Sequence, residues 1–377
     1  MNLYNESVFL ETKELLKELI EIPSVTGNEK PISEFILGKL IDFGIDEAYL
    51  QPVQEDRCNV IGHFKGGRPG KTLLLTGHMD VVSPGKGWTK EPFKATEDDE
   101  RIYGRGSNDM KAGIAIILEC VKLAVKNREE FCGNLEIALL CDEEAYSEGA
   151  IAFVENNIKA DFGLAAEPEF EMIEIGAVGK TLISVMVEGK ACHAATPHLG
   201  LNAMDEAAKF IVGLNQIVTP THNKMSSQPF VLLKAKCGSD EYSLVVPDKC
   251  ELLINKHTVP GETIEDVIGM MEQVVKDLDL KAKFTFTLEK PFYPPFEVSE
   301  NNEHVIRLKK IIKNVTGIDT PVGYGDGVCD SNYIVPKGKI PTVCYGPAGG
   351  NMHAADEWVD VENIKTVLKV YLEFLFQ

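Results

Sequence analysis

The chain has 377 residues, of which 44% are apolar and 25% charged, and 38 basic against 58 acidic residues give a formal net charge of −20. This length predicts two to three domains with ample material for a core. The acidic charge disfavours nucleic acid and anionic membrane surfaces as partners, and no apolar run approaches the roughly 18 residues of a membrane span.

The first part of the chain predicts helices and short buried strands. Leu15, Leu16, Leu19 and Ile20 share one face of a helix that ends before Pro23, and a second helix covers residues 31–44. A further helix, 109–125, is apolar almost all round, which indicates that other elements cover it. Wholly apolar strands predict an α/β fold with a mainly parallel sheet flanked by helices. These strands are residues 71–78, 134–144, 162–168 and 340–347.

The pattern changes between residues 180 and 290, where strand, helix, two strands, helix and strand follow one another. This β-α-β-β-α-β order predicts a ferredoxin-like α+β domain with helices on one sheet face. The first pattern resumes after the Pro-rich stretch 291–296. We therefore expect a main domain of residues 1–179 and 291–377, with residues 180–290 inserted in it.

Polar side chains follow four of the apolar strands directly. Ligands of open α/β sheets bind beyond the carboxyl ends of the strands, so these side chains should meet at one rim. Nitrogen and oxygen donors without Cys suit Zn²⁺, Co²⁺ or Mn²⁺, and their number favours two metals bridged by an Asp. The candidates, including Asp109 from the loop before the apolar helix, are His78, Asp80, Asp109, Glu143, Glu144, Glu167 and His353.

Each candidate also has an ordinary structural interpretation. A single His at a strand end is commonly structural, and Asp109 before a helix could be its N-cap. Glu143 and Glu144 could form a solvated turn, and Glu167 could simply end its strand before Pro168. Together on one rim, however, these groups would repel and desolvate one another unless a cation held them, which favours the metal interpretation.

Other hydrolytic and nucleotide-binding chemistries have weaker support. The sequence contains no GxSxG, Walker A, GxGxxG or HExxH motif. Cys192 and His193 are neighbours, but adjacent strand residues point to opposite faces, which disfavours a cysteine nucleophile. The nine Cys are scattered, and those in apolar stretches, such as Cys120, Cys141 and Cys344, predict reduced core thiols of a cytoplasmic protein. The acidic N-terminus is not expected to be a signal peptide.

Six ordered segments resemble the co-catalytic metallohydrolases of the aminoacylase, acetylornithine deacetylase, succinyl-diaminopimelate desuccinylase and carboxypeptidase G family. The resemblance implies a zinc-dependent amide hydrolase with a metallopeptidase-like catalytic domain and an inserted dimerisation domain. The segments are GHMDVVSPGKGWTKEPF, YGRGSNDMKAGIA, CDEEAYSEGA, AAEP, ACHAATPHLGLNAM and NMHAADEWV.

The resemblance also implies roles for single residues. His78 and Glu167 would bind one metal, Glu144 and His353 the other, and Asp109 would bridge the two. Asp80 would orient the His78 imidazole. Glu143 would act as general base on the bridging water, whose pKa the metals lower, and then protonate the leaving amine. His193 would reach the active site of a partner subunit and stabilise the oxyanion.

The sequence departs from the family where a substrate carboxylate is usually held by Arg. Lys256 and His257 occupy the DRR-like stretch, and Asn332 follows the Asp-Ser of the GGTDSRYI-like stretch. Neither Lys nor His reproduces the bidentate fork of Arg, so the carboxylate pocket is altered.

We therefore expect a cytoplasmic, homodimeric hydrolase with two divalent metals, most simply Zn²⁺, with Co²⁺ or Mn²⁺ as alternatives. Its substrate would be a small N-acyl amino acid or related N-acyl amine. The alternatives are a dipeptidase or carboxypeptidase of the same family and a non-catalytic relative that binds ligands in a metal-dependent way.

Overall fold

The computed structural model describes residues 3–54, 56–222, 224–225, 229–239 and 243–376. Both N-terminal helices expected from the sequence are present. In chain order the helices are α1 (Glu6–Ile20), α2 (Lys30–Phe43), α3 (Ala112–Lys126), α4 (Glu148–Glu155), α5 (Ala203–Leu214), α6 (Ile264–Asp277), α7 (Glu303–Thr316), α8 (Ser331–Ile334) and α9 (Val361–Phe376).

The strands among the described residues form three sheets. In chain order they are β1 (Glu47–Gln54), β2 (Arg57–Lys65), β3 (Arg68–His78), β4 (Thr96–Glu97), β5 (Arg101–Tyr103), β6 (Cys132–Leu140), β7 (Phe162–Ala165), β8 (Ile173–Ala177), β9 (Gly179–Glu188), β10 (Val231–Cys237), β11 (Lys249–Thr258), β12 (Lys283–Tyr293), β13 (Phe296–Glu297), β14 (Val322–Gly325), β15 (Thr342–Cys344), β16 (Gly349–Gly350) and β17 (Trp358–Asp360).

The chain divides into two compact units. The first comprises Met1–Gly176, Glu297–Gly325 and Cys329–Gln377, and the second comprises Ala177–Phe296 with the short segment Asp326–Val328. That short segment is a feature that the sequence pattern did not indicate, because its three residues carry no periodicity. No helix in the described part of the chain is both long and apolar enough to cross a bilayer.

The large sheet of the first unit has the order β1-β2-β6-β3-β7-β15-β8-β13, with β14 paired to β8. Its central strands β6, β3, β7 and β15 are parallel, whereas β1, β2 and β8 pair antiparallel with their neighbours. The short β1–β2 connection requires an antiparallel pair. The expected α/β fold with helices on the sheet is thus confirmed, and the sheet itself is mixed.

Helix α3 lies in the core of the first unit and is buried on nearly every face. It begins at Ala112, three residues later than the sequence pattern predicts. The backbone of Asp109 is extended instead of helical, with φ −120° and ψ 97°, and the Asp109–Met110 peptide bond is cis. Asp109 therefore does not cap this helix, whose N-cap position is Lys111.

The second unit contains an antiparallel sheet of order β10-β11-β9-β12 with α5 and α6 packed on one face. The chain order β9-α5-β10-β11-α6-β12 is the expected ferredoxin-like arrangement. Alternate residues of β9, such as Ile183 and Val185, enter the core with Phe210 of α5. Thr263 and Asp266 form a capping box that fixes the start of α6.

The cysteines follow the sequence expectation in part. Cys120, Cys141 and Cys344 are buried free thiols. Cys237 and Cys250 instead form a disulfide, because the antiparallel register of β10 and β11 places them directly opposite each other.

Candidate metal centre

Three neighbouring parallel strands of the first unit end at one rim with polar residues. His78 is the last residue of β3, Glu143 and Glu144 follow β6 after a short turn, and Glu167 follows β7. The carboxyl ends of parallel strands meet at the same edge of a sheet, so a continuous set of strands brings these side chains together.

Two further residues arrive from the small sheet β16-β17-β5-β4. Its strand β5 leads into the loop that carries Asp109, and its β16–β17 connection carries His353. Because β17 and β5 pair antiparallel, with Trp358 opposite Tyr103, the two loops leave the sheet side by side.

Asp109 lies between two imidazoles. Its Oδ1 is 3.0 Å from Nε2 of His78, and its Oδ2 is 3.1 Å from Nε2 of His353. One carboxylate therefore presents a separate oxygen to each of two nitrogen donors, which is the geometry that a bridging ligand requires.

The remaining carboxylates surround this arrangement. Glu144 lies 3.0 Å from Nε2 of His353, while Glu167 and Glu143 lie 3.8 and 4.0 Å from Nε2 of His78. Donor atoms of His78, Asp109 and Glu144 all lie within 4.8 Å of one another, which is close enough for a single ion to contact all three. The structure thus brings every predicted metal-ligating residue to one place.

The charges of this cluster are unfavourable without a cation. Burial raises the pKa values of Glu143 and Glu167 well above their ordinary range, and neighbouring carboxylates raise them further. Burial alone would lower the pKa of His78, but Glu167 and Asp109 raise it well above its usual value. Hydrogen bonds to Asp109 and Glu144 raise the pKa of His353 to about 10. A divalent cation would replace these protons and relieve the repulsion, so the donor set fits metal ions.

The ring of His78 is oriented by the main chain. Its Nδ1 donates to the carbonyl oxygen of Asp80 at 2.9 Å, so Nε2 is the ring nitrogen that faces Asp109 and that would bind a metal in the neutral ring. The Asp80 carboxylate is 3.8 Å from Nδ1 and accepts the backbone N–H groups of Glu143 and Glu144 at 3.1 and 3.2 Å. It also accepts the Thr26 hydroxyl at 2.9 Å. Asp80 thus connects the end of β3 with the turn after β6.

The turn after β6 is held by a buried ion network that the sequence analysis missed. Asp142 has a positive φ of 72°, and its main-chain oxygen accepts the N–H of Ser147 at 2.7 Å. Its carboxylate lies 2.6 Å from Arg57, which also pairs with buried Glu29 at 2.5 Å. Arg57 and Glu29 lie far from the catalytic motifs in sequence, so no local pattern connects them with Glu143.

Glu357 is a second residue that the sequence analysis missed. This fully buried carboxylate accepts the backbone N–H groups of Gly106, Asn108 and Asp109 at 3.0–3.1 Å and pairs with buried Arg105. Its position four residues after His353, within the quoted segment NMHAADEWV, is the one signal that could have drawn attention to it.

His193 lies in the second unit and is exposed. Its Nδ1 accepts the N–H of Ala195 at 3.0 Å, so the proton of the neutral ring is on Nε2, which can donate to another molecule. The neighbouring Cys192 thiol lies 3.4 Å from the carbonyl oxygen of Thr196 instead of on the His193 ring. A cysteine–histidine pair is not formed here.

The residues that replace the family's arginines are engaged within their own units. Lys256 is fully buried, with Nζ 3.2 Å from Glu262 and 2.6 Å from the carbonyl oxygen of His257. Asn332 is also buried, and its Oδ1 accepts the N–H of Cys329 at 2.8 Å. Burial lowers the pKa of His257, and the nearby positive charge of Lys180 lowers it further.

The fold and this donor set together define a metal-binding hydrolase. The model of the peptidase family M20/M25/M40 matches residues 74–377, and the chain belongs to this family. The family resemblance inferred from the sequence motifs is therefore confirmed.

Relatives and solved structures extend along nearly the whole chain. A succinyl-diaminopimelate desuccinylase of Sulfurimonas denitrificans is 26% identical over 375 residues, which cover 96% of this chain and 98% of the relative. The aminopeptidase PepT of Bacillus cereus shares the fold with a TM-score of 0.81, 22% identity and 98% coverage of each chain. A dinuclear metal binding peptidase of the M20 family from Bacillus subtilis has a TM-score of 0.72 at 17% identity, covering 99% of this chain and 98% of its own.

Proposed function

We propose that the protein is a dinuclear-metal amide hydrolase that removes an acyl group from a small N-acyl amino acid or related N-acyl amine. The observation that carries this proposal is the position of Asp109, whose two carboxylate oxygens face the Nε2 atoms of His78 and His353 at 3.0 and 3.1 Å. A carboxylate shared in this way by two histidines is expected of a bridging ligand between two ions.

The chain offers a donor set for each ion. His78 and Glu167 would hold one, Glu144 and His353 the other, and Asp109 both, with Zn²⁺ as the expected metal and Co²⁺ or Mn²⁺ as alternatives. When bound, such ions supply Lewis acidity, which polarises a carbonyl and lowers the pKa of water.

Glu143 is the proposed general base. Its carboxylate is oriented toward His78 at 4.0 Å, and its main-chain N–H is fixed by Asp80. Burial raises the pKa of Glu143, so its carboxylate can accept a proton from the attacking water and hold that proton until it is transferred to the leaving nitrogen. Transfer of that proton to the nitrogen completes cleavage of the amide, with the acyl group released as a carboxylate.

The proposal includes a homodimer in which His193 acts on the partner subunit. Strand β10 is an edge of its sheet, and its residues Val231, Leu232 and Leu233 are 44%, 39% and 56% exposed. An exposed apolar edge strand favours pairing with a second copy. The Nε2–H of His193 would then donate to the developing oxyanion of the substrate.

The substrate class is inferred from the named relatives and from the pairing of Lys256. The curated relative above is named a desuccinylase, which favours deacylation, whereas the similar solved structures are named peptidases. Because Lys256 is paired with Glu262 inside its own unit, we do not assign it to a substrate carboxylate. The principal alternative is therefore a dipeptidase or carboxypeptidase, and the second is a metal-dependent binding protein without activity.

Metal content and substrate turnover test these alternatives together. The purified protein would be analysed for metals and assayed on N-acetyl and N-succinyl amino acids and on dipeptides, beside Glu143→Ala and, as control, the exposed Glu155→Gln. We expect at least two metals per chain, in equal amount in all three proteins, and activity lost only in Glu143→Ala. Preferential dipeptide turnover would favour the peptidase alternative. Metal without turnover would favour the binding protein, and activity without metal would contradict the proposal.

We also propose a cytoplasmic location, which is supported by the free buried thiols Cys120, Cys141 and Cys344. Fractionation of cells with markers for each compartment tests it, and recovery outside the cytoplasmic fraction would contradict it.

A further inference from the structure

Two thiols and a buried carboxylate lie together in the first unit and are not used by the hydrolytic mechanism. Cys344 ends β15, Glu174 lies in β8, and Cys329 lies in the loop before α8. One ligand atom from each of the three residues lies within 4.8 Å of the others. Glu174 and Cys344 are buried, while Cys329 is half-buried and so provides access from solvent.

The backbone fixes all three residues independently. Cys344 and Glu174 are direct partners in the antiparallel pairing of β15 with β8. The N–H of Cys329 donates to Oδ1 of Asn332 at 2.8 Å, and the Sγ atoms of Cys329 and Cys344 lie within 4.8 Å of each other.

The absence of a side chain at Gly325 provides the space that the Glu174 carboxylate occupies. A Cβ atom at that position would lie 2.4 Å from Oε2 of Glu174, so a larger residue would displace the carboxylate from the thiols. The cluster is thus built by two strands, a loop and a glycine.

We propose that Glu174, Cys329 and Cys344 form a binding site for a thiophilic divalent cation of the Zn²⁺ class. Zinc bonds of about 2.3 Å to sulfur and about 2.0–2.2 Å to oxygen place donor atoms roughly 3–4 Å apart, which small side-chain adjustments of this cluster satisfy. Three protein ligands leave a fourth position for water. The site is distinct in chemistry from the hydrolytic centre, whose donors are nitrogen and oxygen alone, and it does not depend on the proposed hydrolytic function.

This difference in donors makes the site measurable by itself. The protein would be reduced, freed of reductant and titrated with Cd²⁺ while ultraviolet absorption is recorded, because thiolate ligands give a charge-transfer band that nitrogen and oxygen ligands do not. We expect a band that saturates at about one Cd²⁺ per chain.

Variants assign the band to these residues. Cys329→Ser and Cys344→Ser should each remove about half of its amplitude, since each removes one of two thiolates, and Glu174→Gln should keep the amplitude but weaken binding. The controls are Cys120→Ser, a buried thiol of α3, and the double variant Cys237→Ser/Cys250→Ser, which removes the other neighbouring pair. Circular dichroism identifies any variant that fails to fold. If a serine variant does not fold, the Cd²⁺ affinity of Glu174→Gln tests the proposed site instead.

Several outcomes would overturn the site. These are a reduced wild-type protein without the band, a band kept in full by both serine variants, a band lost only with Cys237 and Cys250, and unchanged affinity in Glu174→Gln. Formation of a Cys329–Cys344 disulfide in a protein that shows no Cd²⁺ band would also contradict it.

Discussion

The carboxylate of Glu357 accepts the main-chain N–H of Asp109 at 3.0 Å, so a buried acid supports the residue that faces both histidines. The same carboxylate accepts N–H groups of Gly106 and Asn108 and pairs with Arg105. This loop is not helical at Asp109 and cannot satisfy these groups through helix hydrogen bonds. Glu357 therefore holds the main chain from which the Asp109 carboxylate extends.

Replacement of Glu357 should affect metal binding as well as stability. In Glu357→Gln the charge facing Arg105 is lost, and the loop carrying Asp109 is held less firmly. We expect metal affinity and kcat/KM to fall about 10–100-fold, the usual effect of losing a partner that orients a metal ligand. Metal affinity would be measured by competition with a chromophoric chelator.

The matched control is Glu362→Gln, an exposed acid of α9. It should leave metal affinity unchanged. If Glu357→Gln lowered the unfolding temperature but bound metal as tightly as the wild type, Glu357 would be a structural residue without influence on Asp109.

That the proposed donor residues lie close together could be expected from the sequence, because they follow strands with a clear apolar pattern. His78, Glu143 and Glu167 each stand at or just after a buried strand, and parallel pairing brings such positions to one rim. The inserted unit was equally predictable, since its strands alternate and its helices are amphipathic.

The residues that position the proposed metal-binding side chains could not be predicted in the same way. Arg57 reaches Asp142 across 85 residues of chain and also pairs with Glu29. The pairing of β17 with β5 brings Glu357 to the Asp109 loop. Asp80 was expected to orient His78 through its carboxylate, but the imidazole N–H of His78 donates to the main-chain oxygen of Asp80. Such contacts depend on tertiary structure and on backbone geometry that a linear pattern does not specify.

The buried ion pair of Lys256 and Glu262 should control stability and leave substrate affinity unchanged. Lys256→Met leaves the Glu262 carboxylate buried without its cation, for which we expect a loss of about 3–5 kcal/mol in the free energy of unfolding. Adding Glu262→Gln should recover most of it. Chemical denaturation measures the free energy of unfolding of the single and the double variant. KM would be determined on folded protein at low temperature. A KM raised tenfold in the double variant would instead place Lys256 at the substrate.

His63 and Glu136 should make a pH-dependent contribution to stability. They are opposite each other in the β2–β6 pair and form an ion pair, and the hydrogen bond to Glu136 raises the pKa of His63. Because the pKa is raised in the folded state, the ion pair contributes its full stabilisation below the unfolded-state pKa of about 6.5. This stabilisation is lost as the pH rises through the folded-state pKa. We expect His63→Gln to cost about 0.5–1 kcal/mol at pH 5.5 and less at pH 9. Urea denaturation at both pH values measures it, and an equal cost at both would contradict the assignment.

Mixed dimers provide the sharpest test of the role proposed for His193. His193→Ala and Glu143→Ala should each be nearly inactive as homodimers. If His193 serves the partner's centre, a mixed dimer has one site with Glu143 from one chain and His193 from the other, so random mixing should restore about a quarter of wild-type activity. Dissociation, mixing and reassembly, followed by sedimentation analysis and assay, measures this recovery. No recovery in a verified mixed dimer would show that His193 acts within its own chain or not at all.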